Sequence, residues 1–387
     1  MHFTHGNKIK LLRNGLEYFA ALEDAIQNAK HDIYVQTYIY QADATGIRIG
    51  NALKDAATRG VIVNLLLDGY GCKDLPVTFR HELQQYGIHV KLYRPNISPW
   101  TLQKSRLRRM HRKVVTIDGV MGFVGGINII DDMDVPHHIA PRIDYALQLE
   151  GPILDSIVTS VQRLWRRATL SLMQHIDLNF NNPSLSAKQP INQHGIKAAF
   201  VVRDNLLHRR DIENAYKSAM LQATSEITIA NAYFVPGRNF RQALLSAALR
   251  GVKIKLLLQG RQDDLLMFAM HALYSQLLNA GIEIYEYRKS FMHSKVAVID
   301  THWATVGSSN IDPFSLMLAY EANVIIEDDD FAATLKSDIE KSISSAHHVT
   351  IEEWENSNRL KRFFSWIVYG VLRVMLNVIS TSKTSHP

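Results

Sequence analysis

The chain has 387 residues, enough for two or three domains at roughly 150 residues each. Apolar residues make up 47% and charged residues 21%, which excludes a disordered chain, and a single cysteine, Cys72, excludes a disulfide framework and a cysteine-built zinc site. Lys and Arg total 43 against 37 Asp and Glu, a formal +6 that suits an anionic partner, either nucleic acid or an acidic membrane surface.

In chain order, the opening Met1 to Gly6 lacks the basic start and apolar run of a signal peptide. Periodicity then predicts a strand over Lys8–Leu12, a helix over Leu16–Lys30 with Phe19, Leu22 and Ile26 on its apolar face, and a strand over Ile33–Tyr40. A helix over Ile47–Arg59, a strand over Val61–Leu67, a helix over Val77–Tyr86 and a strand over His89–Tyr93 follow. Strands over Lys113–Ile117 and Ala146–Leu149 and a helix over Ile153–Leu172 complete this half.

From about Ala198 the pattern repeats. Ala52-Leu53 to Arg59-Gly60-Val61 matches Ala243-Leu244 to Arg250-Gly251-Val252. Leu65-Leu66-Leu67-Asp68-Gly69 matches Leu256-Leu257-Leu258-Gln259-Gly260, and Gly87 to Arg94 matches Gly281 to Arg288. Strands separated by helices imply an α/β fold, a mixed sheet with helices on its faces. The predicted organisation is a first repeat over 1–178, a polar, turn-rich linker over 179–197, a second repeat over 198–348 and a C-terminal tail over 349–387.

The chemistry sits at matching places. His111-Arg112-Lys113 is followed by Asp118, Gly122, Gly125, Gly126 and Asn128. His293-Ser294-Lys295 is followed by Asp300, Gly307, Ser308, Ser309 and Asn310. From His to Asn the spacing is 17 residues in both copies. Two such motifs in register do not arise by chance. His and Lys two apart on a strand face one side. The small-residue turn that follows, Gly122, Gly125 and Gly126 in one copy and Gly307, Ser308 and Ser309 in the other, leaves room for a substrate at Gly126 and Ser308, and Asn128 and Asn310 supply amide donors. A pseudo-twofold would join two His, two Lys and two Asn in one shared active site suited to a phosphodiester. Lys and Asn would neutralise the non-bridging oxygens while one imidazole attacks phosphorus and the other protonates the departing alkoxide. Glu321, 28 residues after His293, and Asp144, 33 residues after His111, are the carboxylates expected to orient the imidazoles. Asp118 and Asp300 close the motifs and are counted with the catalytic set, but their strand parity is opposite to that of Lys, which favours a supporting role.

Other candidates are weaker. His137-His138 and His347-His348 lack the spacing and carboxylate partners of common metal sites and read as surface residues. Asp328-Asp329-Asp330 reads as a solvated turn or a helix start, and no P-loop pattern is present. Sixteen residues, Pro95 to Met110, precede His111 where four, Lys289 to Met292, precede His293. The longer segment carries Trp100, Lys104, Arg106, Arg108 and Arg109, basic groups beside an aromatic that suit docking on an anionic bilayer, at ~1 kcal/mol per basic residue. The run Phe363 to Ile379 is broken at Ser365, Gly370, Arg373 and Asn377, and Lys361, Ser365, Tyr369, Arg373 and Asn377 recur every fourth residue. On a helix these form one narrow polar stripe on an apolar cylinder. With the basic Arg359–Arg362 before it, the segment reads as a helix lying in a membrane interface, the alternative being a terminal helix docked on the core.

These residues resemble the phospholipase D superfamily, whose signature is the duplicated motif, and within it the bacterial cardiolipin synthases of the B type. The likeness runs from about Gly6 to Asp328 and includes Ile229 to Gly237 and His302 to Pro313. It implies a membrane-peripheral phosphatidyltransferase on the cytoplasmic side of the bacterial inner membrane, without metal, cofactor or nucleic-acid partner. His111 would be the nucleophile and His293 the acid, then the base, although a pseudo-symmetric site admits either order. Phosphatidylglycerol would give its phosphatidyl group to histidine, releasing glycerol, and a second phosphatidylglycerol or another alcohol would accept it. The rival readings are a hydrolase of the same fold, a phospholipase D or a nuclease, and a catalytically inactive lipid-binding scaffold. The apolar tail speaks against a nuclease, and the intact motifs against the scaffold.

Overall fold

The computed structural model describes residues 1–95, 108–135, 139–170, 195–204, 207–261 and 265–381. The first repeat runs β1 (Thr4–Arg13), α1 (Asn14–Gln27), β2 (Asp32–Thr37), α2 (Ala44–Thr58), β3 (Ile62–Asp68), α3 (Val77–Gln85), β4 (His89–Tyr93), β5 (Lys113–Ile117), β6 (Met121–Gly125), β7 (Tyr145–Glu150) and α4 (Leu154–Leu170). The second runs β8 (Ile196–Arg203), α5 (Asp211–Gln222), β9 (Glu226–Asn231), α6 (Arg238–Leu249), β10 (Lys253–Gln259), α7 (Leu265–His271), α8 (Tyr274–Asn279), β11 (Glu283–Tyr287), β12 (Lys295–Ile299), β13 (Trp303–Gly307), α9 (Pro313–Met317), β14 (Glu321–Glu327), α10 (Asp329–Ile343) and β15 (His347–Val349). Two helices follow, α11 (Ile351–Asn356) and α12 (Arg359–Thr381).

The local rules behind the repeat are visible. Asp43 caps α2 by accepting the Gly46 N–H at 2.8 Å, and Asp328 caps α10 by accepting that of Phe331 at 2.8 Å, so the acidic triplet is a helix start. The matched Arg-Gly-Val triplets are helix ends: Gly60 and Gly251 hold φ of +91° and +87°, a left-handed conformation that glycine adopts without penalty.

Both repeats have one strand order. The sheet reads β4-β3-β2-β5-β6-β7-β1 and then β8-β14-β13-β12-β9-β10-β11-β15, the same series in reverse with β15 added at the far edge. In each, three strands run parallel and the rest antiparallel, so the α/β repeat expectation holds. Antiparallel contact of β1 with β8 joins the halves, and Asn7 stitches that seam by donating to the Ile196 carbonyl at 2.9 Å and accepting the Ile153 N–H at 2.9 Å. Each repeat buries its own apolar cluster. A third cluster draws on both, packing Val114, Val124, Leu147 and Leu149 against Val296, Val306, Val324 and Ile326. That shared core holds the two motifs in one fixed relation.

Three expectations change. Gly122 and Gly125 lie in a strand, β6, and not in a turn, because Met121–Gly125 pairs with both β5 and β7. Gly125 is required there because a Cβ would stand 2.5 Å from the Ala146 backbone. Ile196 and Lys197, placed in the linker, begin β8; the rest of that linker up to residue 194 lies outside the described residues, as do His137 and His138. The tail helix packs on the second repeat's core through Val368, Tyr369, Leu372 and Met375, and two residues of its polar stripe turn inward, Ser365 fully buried and Tyr369 bonded to Arg241, while Arg373 is exposed. Leu360, Phe363, Trp366, Val371 and Val374 face outward, Trp366 at 70% exposure. The helix is docked on the core and still presents an apolar face. No helix among the described residues is long and apolar enough to cross a membrane.

Candidate active site

Strand alternation places the motif side chains. His111 and Lys113 share one face at the start of β5, while Arg112 turns to the other and donates to Gln36 Oε1 at 2.7 Å and to Ser160 Oγ of α4 at 2.8 Å. In the second repeat Ser294 turns away likewise and donates to the Ile143 carbonyl at 3.3 Å.

The two motifs meet through their backbones. The residue before each histidine pairs with the residue before the other repeat's carboxylate: Met110 bridges Tyr320, and Met292 bridges Ile143. The His111 N–H donates to the Tyr320 carbonyl at 2.9 Å, and the His293 N–H to that of Ile143 at 2.8 Å. The carboxylates are therefore exchanged. His111 Nδ1 lies 2.9 Å from Glu321 Oε1, and His293 Nδ1 lies 2.6 Å from Asp144 Oδ2. Spacing along the chain tied Glu321 to His293 and Asp144 to His111; the fold crosses both pairs. With Nδ1 engaged, Nε2 is the nitrogen left for chemistry in each ring.

Both lysines are buried beside the imidazoles, and each ammonium donates to the carbonyl of its own motif histidine. Burial lowers Lys113 to about 7 against the pull of Glu321, and Lys295 to about 8 against that of Asp144. Burial also holds His111 below the usual imidazole range, opposed by Glu321 and reinforced by Lys113 and Lys295. Burial pushes His293 well below that range, with Lys295, Lys113 and Arg142 adding to it. Asp144 is raised to about 6 by burial, against Lys295. Burial pushes all five groups towards their uncharged forms, and the negative charge of a bound phosphodiester would favour the protonated lysines and imidazoles.

The amides support this centre. Asn128 Oδ1 accepts the Ile39 N–H at 3.1 Å, leaving its NH2 as the donor end. Among the described residues Oδ1 of buried Asn310 has no hydrogen-bond partner, an acceptor that a substrate hydroxyl can satisfy. Ser308 Oγ donates to Glu321 Oε2 at 2.5 Å, whereas Gly126 has no room for a side chain, since a Cβ there would lie 2.2 Å from Asp144 Oδ1.

The structure does not bring Asp118 and Asp300 to this centre. They stand at the opposite ends of β5 and β12 from the lysines, and their carboxylates gather backbone N–H groups: Lys30, His31 and Asp32 on Asp118, and Thr224, Ser225 and Glu226 on Asp300, at 2.7–3.0 Å. They anchor turns, which removes them from the catalytic set. Arg109 also departs from expectation. Its Nη1 lies 3.5 Å from buried Asp68 Oδ1, so it faces the protein and not a bilayer, and Arg108 is half-buried. Trp100, Lys104 and Arg106 lie outside the described residues.

Two neighbours were missed from the sequence. Asp68, fully buried, accepts the Met110 N–H at 2.8 Å and so fixes the backbone just before His111. Its signal was the mismatch with Gln259 inside an otherwise matched Leu-Leu-Leu-x-Gly segment. The Tyr38 ring lies 4.6 Å from that of His111 and 5.3 Å from the Lys113 ammonium, with no motif around it to mark it. Among the described residues no group of three His, Cys, Asp or Glu side chains is placed to hold a metal ion.

Comparison with known proteins agrees with the repeat. Residues 22–132 and 216–343 match a family model described as cardiolipin synthase, phospholipase D-like domain. Cardiolipin synthase B of Escherichia coli strain K12 is 40% identical over 354 residues, 89% of this chain and 82% of that one. Cardiolipin synthase A of Pseudomonas syringae is 30% identical over 356 residues, 92% of this chain and 72% of that one. In fold the chain is similar to phosphatidylserine synthase of Haemophilus influenzae, with a TM-score of 0.65 at 13% identity over 96% of this chain and 93% of that one. The duplicated motif, its crossed carboxylates and these relatives lead to one conclusion: the chain belongs to the phospholipase D-like cardiolipin synthase family.

Proposed function

We propose that the chain transfers a phosphatidyl group from one phosphatidylglycerol to the hydroxyl of a second, releasing glycerol and forming cardiolipin. It is a phosphatidyltransferase by family, and the crossed His–carboxylate pairs carry the reading of its site. Neutral His111, oriented by Glu321, attacks phosphorus through Nε2. The bond to the glycerol oxygen breaks, and His293, oriented by Asp144, gives that oxygen a proton. His293 then takes a proton from the acceptor hydroxyl, whose oxygen attacks phosphorus and frees His111. Lys113, Lys295, Asn128 and Asn310 hold the non-bridging oxygens. At rest His293 disfavours its proton. The acid role falls to it once the bound phosphodiester offsets the charge of the two lysines. Each step exchanges one phosphodiester or phosphohistidine for another, so no nucleotide is consumed.

The outward apolar face of α12 supports a peripheral position on a membrane, which we propose is the cytoplasmic face of the inner membrane. Taking five such side chains out of water gains on the order of 1 kcal/mol each or more.

The test is product analysis by mass spectrometry after incubation with phosphatidylglycerol vesicles and EDTA. Cardiolipin and free glycerol are expected, and His111→Ala should lower turnover on the order of 10⁴-fold while leaving vesicle binding intact. Phosphatidic acid as the product would overturn transfer in favour of hydrolysis.

A further inference from the structure

A cavity of about 510 Å³ lies against the tail helix, lined by the segment before α5, the start of α6, α9 and α12, and no step above uses it. Arg209 and Arg210 border it before α5, Arg238 and Arg241 on the first turn of α6, and Arg373 on α12, against a single lining acid, Glu213. A sixth lining arginine, the buried Arg203, donates to the Met317 and Ala319 carbonyls and so ties the cavity wall to the segment leading to Glu321. Arg241 Nη1 donates to Tyr369 Oη at 2.9 Å, which fixes α12 as the other wall.

So many guanidinium groups around one carboxylate repel one another until an anion joins them, and their planar forks match phosphate oxygens. The volume lies within the ~300–1,000 Å³ range of small-ligand sites. The wall is not purely cationic: Val235, Leu316 and Leu372 line it as well. On α12, Arg373 is flanked by the outward-facing Val371 and Val374, so the cavity opens beside the apolar face that the tail presents. A free phosphate ion would have no use for that apolar flank. We propose that this cavity is a second lipid site, which takes the phosphate headgroup of an anionic phospholipid while its acyl chains lie along α12. None of His111, Lys113, His293 and Lys295 lines it; the proposal rests on the reading of the chain as a lipid enzyme but not on transfer.

The test titrates the inactive His111→Ala protein with monomeric dihexanoyl-phosphatidylglycerol by calorimetry. The same titration is made with Arg209, Arg210 and Arg238 all changed to Ala, and with all three changed to Lys. These arginines are exposed, and unchanged melting temperatures confirm folding. The Ala set is expected to lose one molar equivalent of bound lipid. The Lys set is expected to keep it with about tenfold weaker affinity. Unchanged stoichiometry in the Ala set overturns the proposal, as does inorganic phosphate binding at the arginines as tightly as the lipid, which would make this a free-anion site. The two readings fail separately. Cardiolipin formed by an enzyme whose lipid stoichiometry ignores the arginines would sink only the second site. Arginine-dependent binding without transfer would sink only the function proposed above.

Discussion

Gly126 and Ser308 stand at the same place, 15 residues after His111 and His293, and they treat the neighbouring carboxylate differently. Gly126 yields its side-chain space to Asp144, whose carboxylate closes to 2.6 Å on His293. Ser308 fills that space and donates a hydrogen bond to Glu321, whose longer side chain reaches His111 at 2.9 Å. Before the histidines the contrast continues: buried Asp68 holds the Met110 N–H, where its counterpart Gln259 turns its Oε1 to its own neighbour Gly260. Duplication thus preserved the reacting groups while their supports diverged. Two imidazoles that must play opposite parts in one proton cycle gain from unequal surroundings.

The largest effect should come from breaking the crossed pairs. Glu321→Gln and Asp144→Asn should each lower kcat by about 10²–10⁴-fold by spoiling the tautomer and charge of one imidazole. In double-mutant cycles Glu321→Gln should be non-additive with His111→Ala and nearly additive with His293→Ala. The reverse coupling would show that each carboxylate serves its own repeat. A smaller effect should separate the two supports. Gly126→Ala forces Asp144 off His293 and should cost about 10²-fold in kcat, whereas Ser308→Ala removes one hydrogen bond of ~1 kcal/mol, about fivefold. Equal losses would erase the asymmetry.

The smallest effect on turnover is expected at the turn anchors. Partial burial pushes the Asp300 carboxyl up, but hydrogen bonds from Glu226, Thr224 and Ser225 outweigh it and hold the group at about 2. A pKa depressed on folding stabilises the protein above the ordinary aspartate range, and that stability is lost as pH falls from about 4 towards 2. Asp300→Asn should therefore lower Tm at pH 6, with the gap to wild type closing near pH 2, while kcat stays within about twofold. A large loss of kcat without loss of Tm would return Asp300 to the chemistry.

Much of this was legible in the residues. Period and turn chemistry placed most strands and helices, because Arg59-Gly60-Val61 and its copy are helix ends whose left-handed glycines are written locally. β6 and β13 escaped notice because Gly122, Gly125 and Gly307 read as a turn, and only pairing on both sides makes those segments strands. The polar stripe of α12 was read correctly as a stripe, but periodicity does not tell which face a helix turns to its neighbours. Here Ser365 and Tyr369 of the stripe turn inward, one buried and the other meeting Arg241, while Arg373 stays exposed.

The duplication and its chemistry are written in the residues alone: His111, Lys113, His293 and Lys295 at fixed spacing on alternating strand positions, with Asn128 and Asn310 after them. Those are local facts, set by strand period and by the order of residue types. Which carboxylate serves which imidazole is set by the fold. The bridges of Met110 to Tyr320 and Met292 to Ile143 are contacts between repeats, more than 140 residues apart in the chain, and they hand Glu321 to His111 and Asp144 to His293. Spacing within a repeat carries no record of such exchange, because the pairing energy is realised only when the two halves share one core.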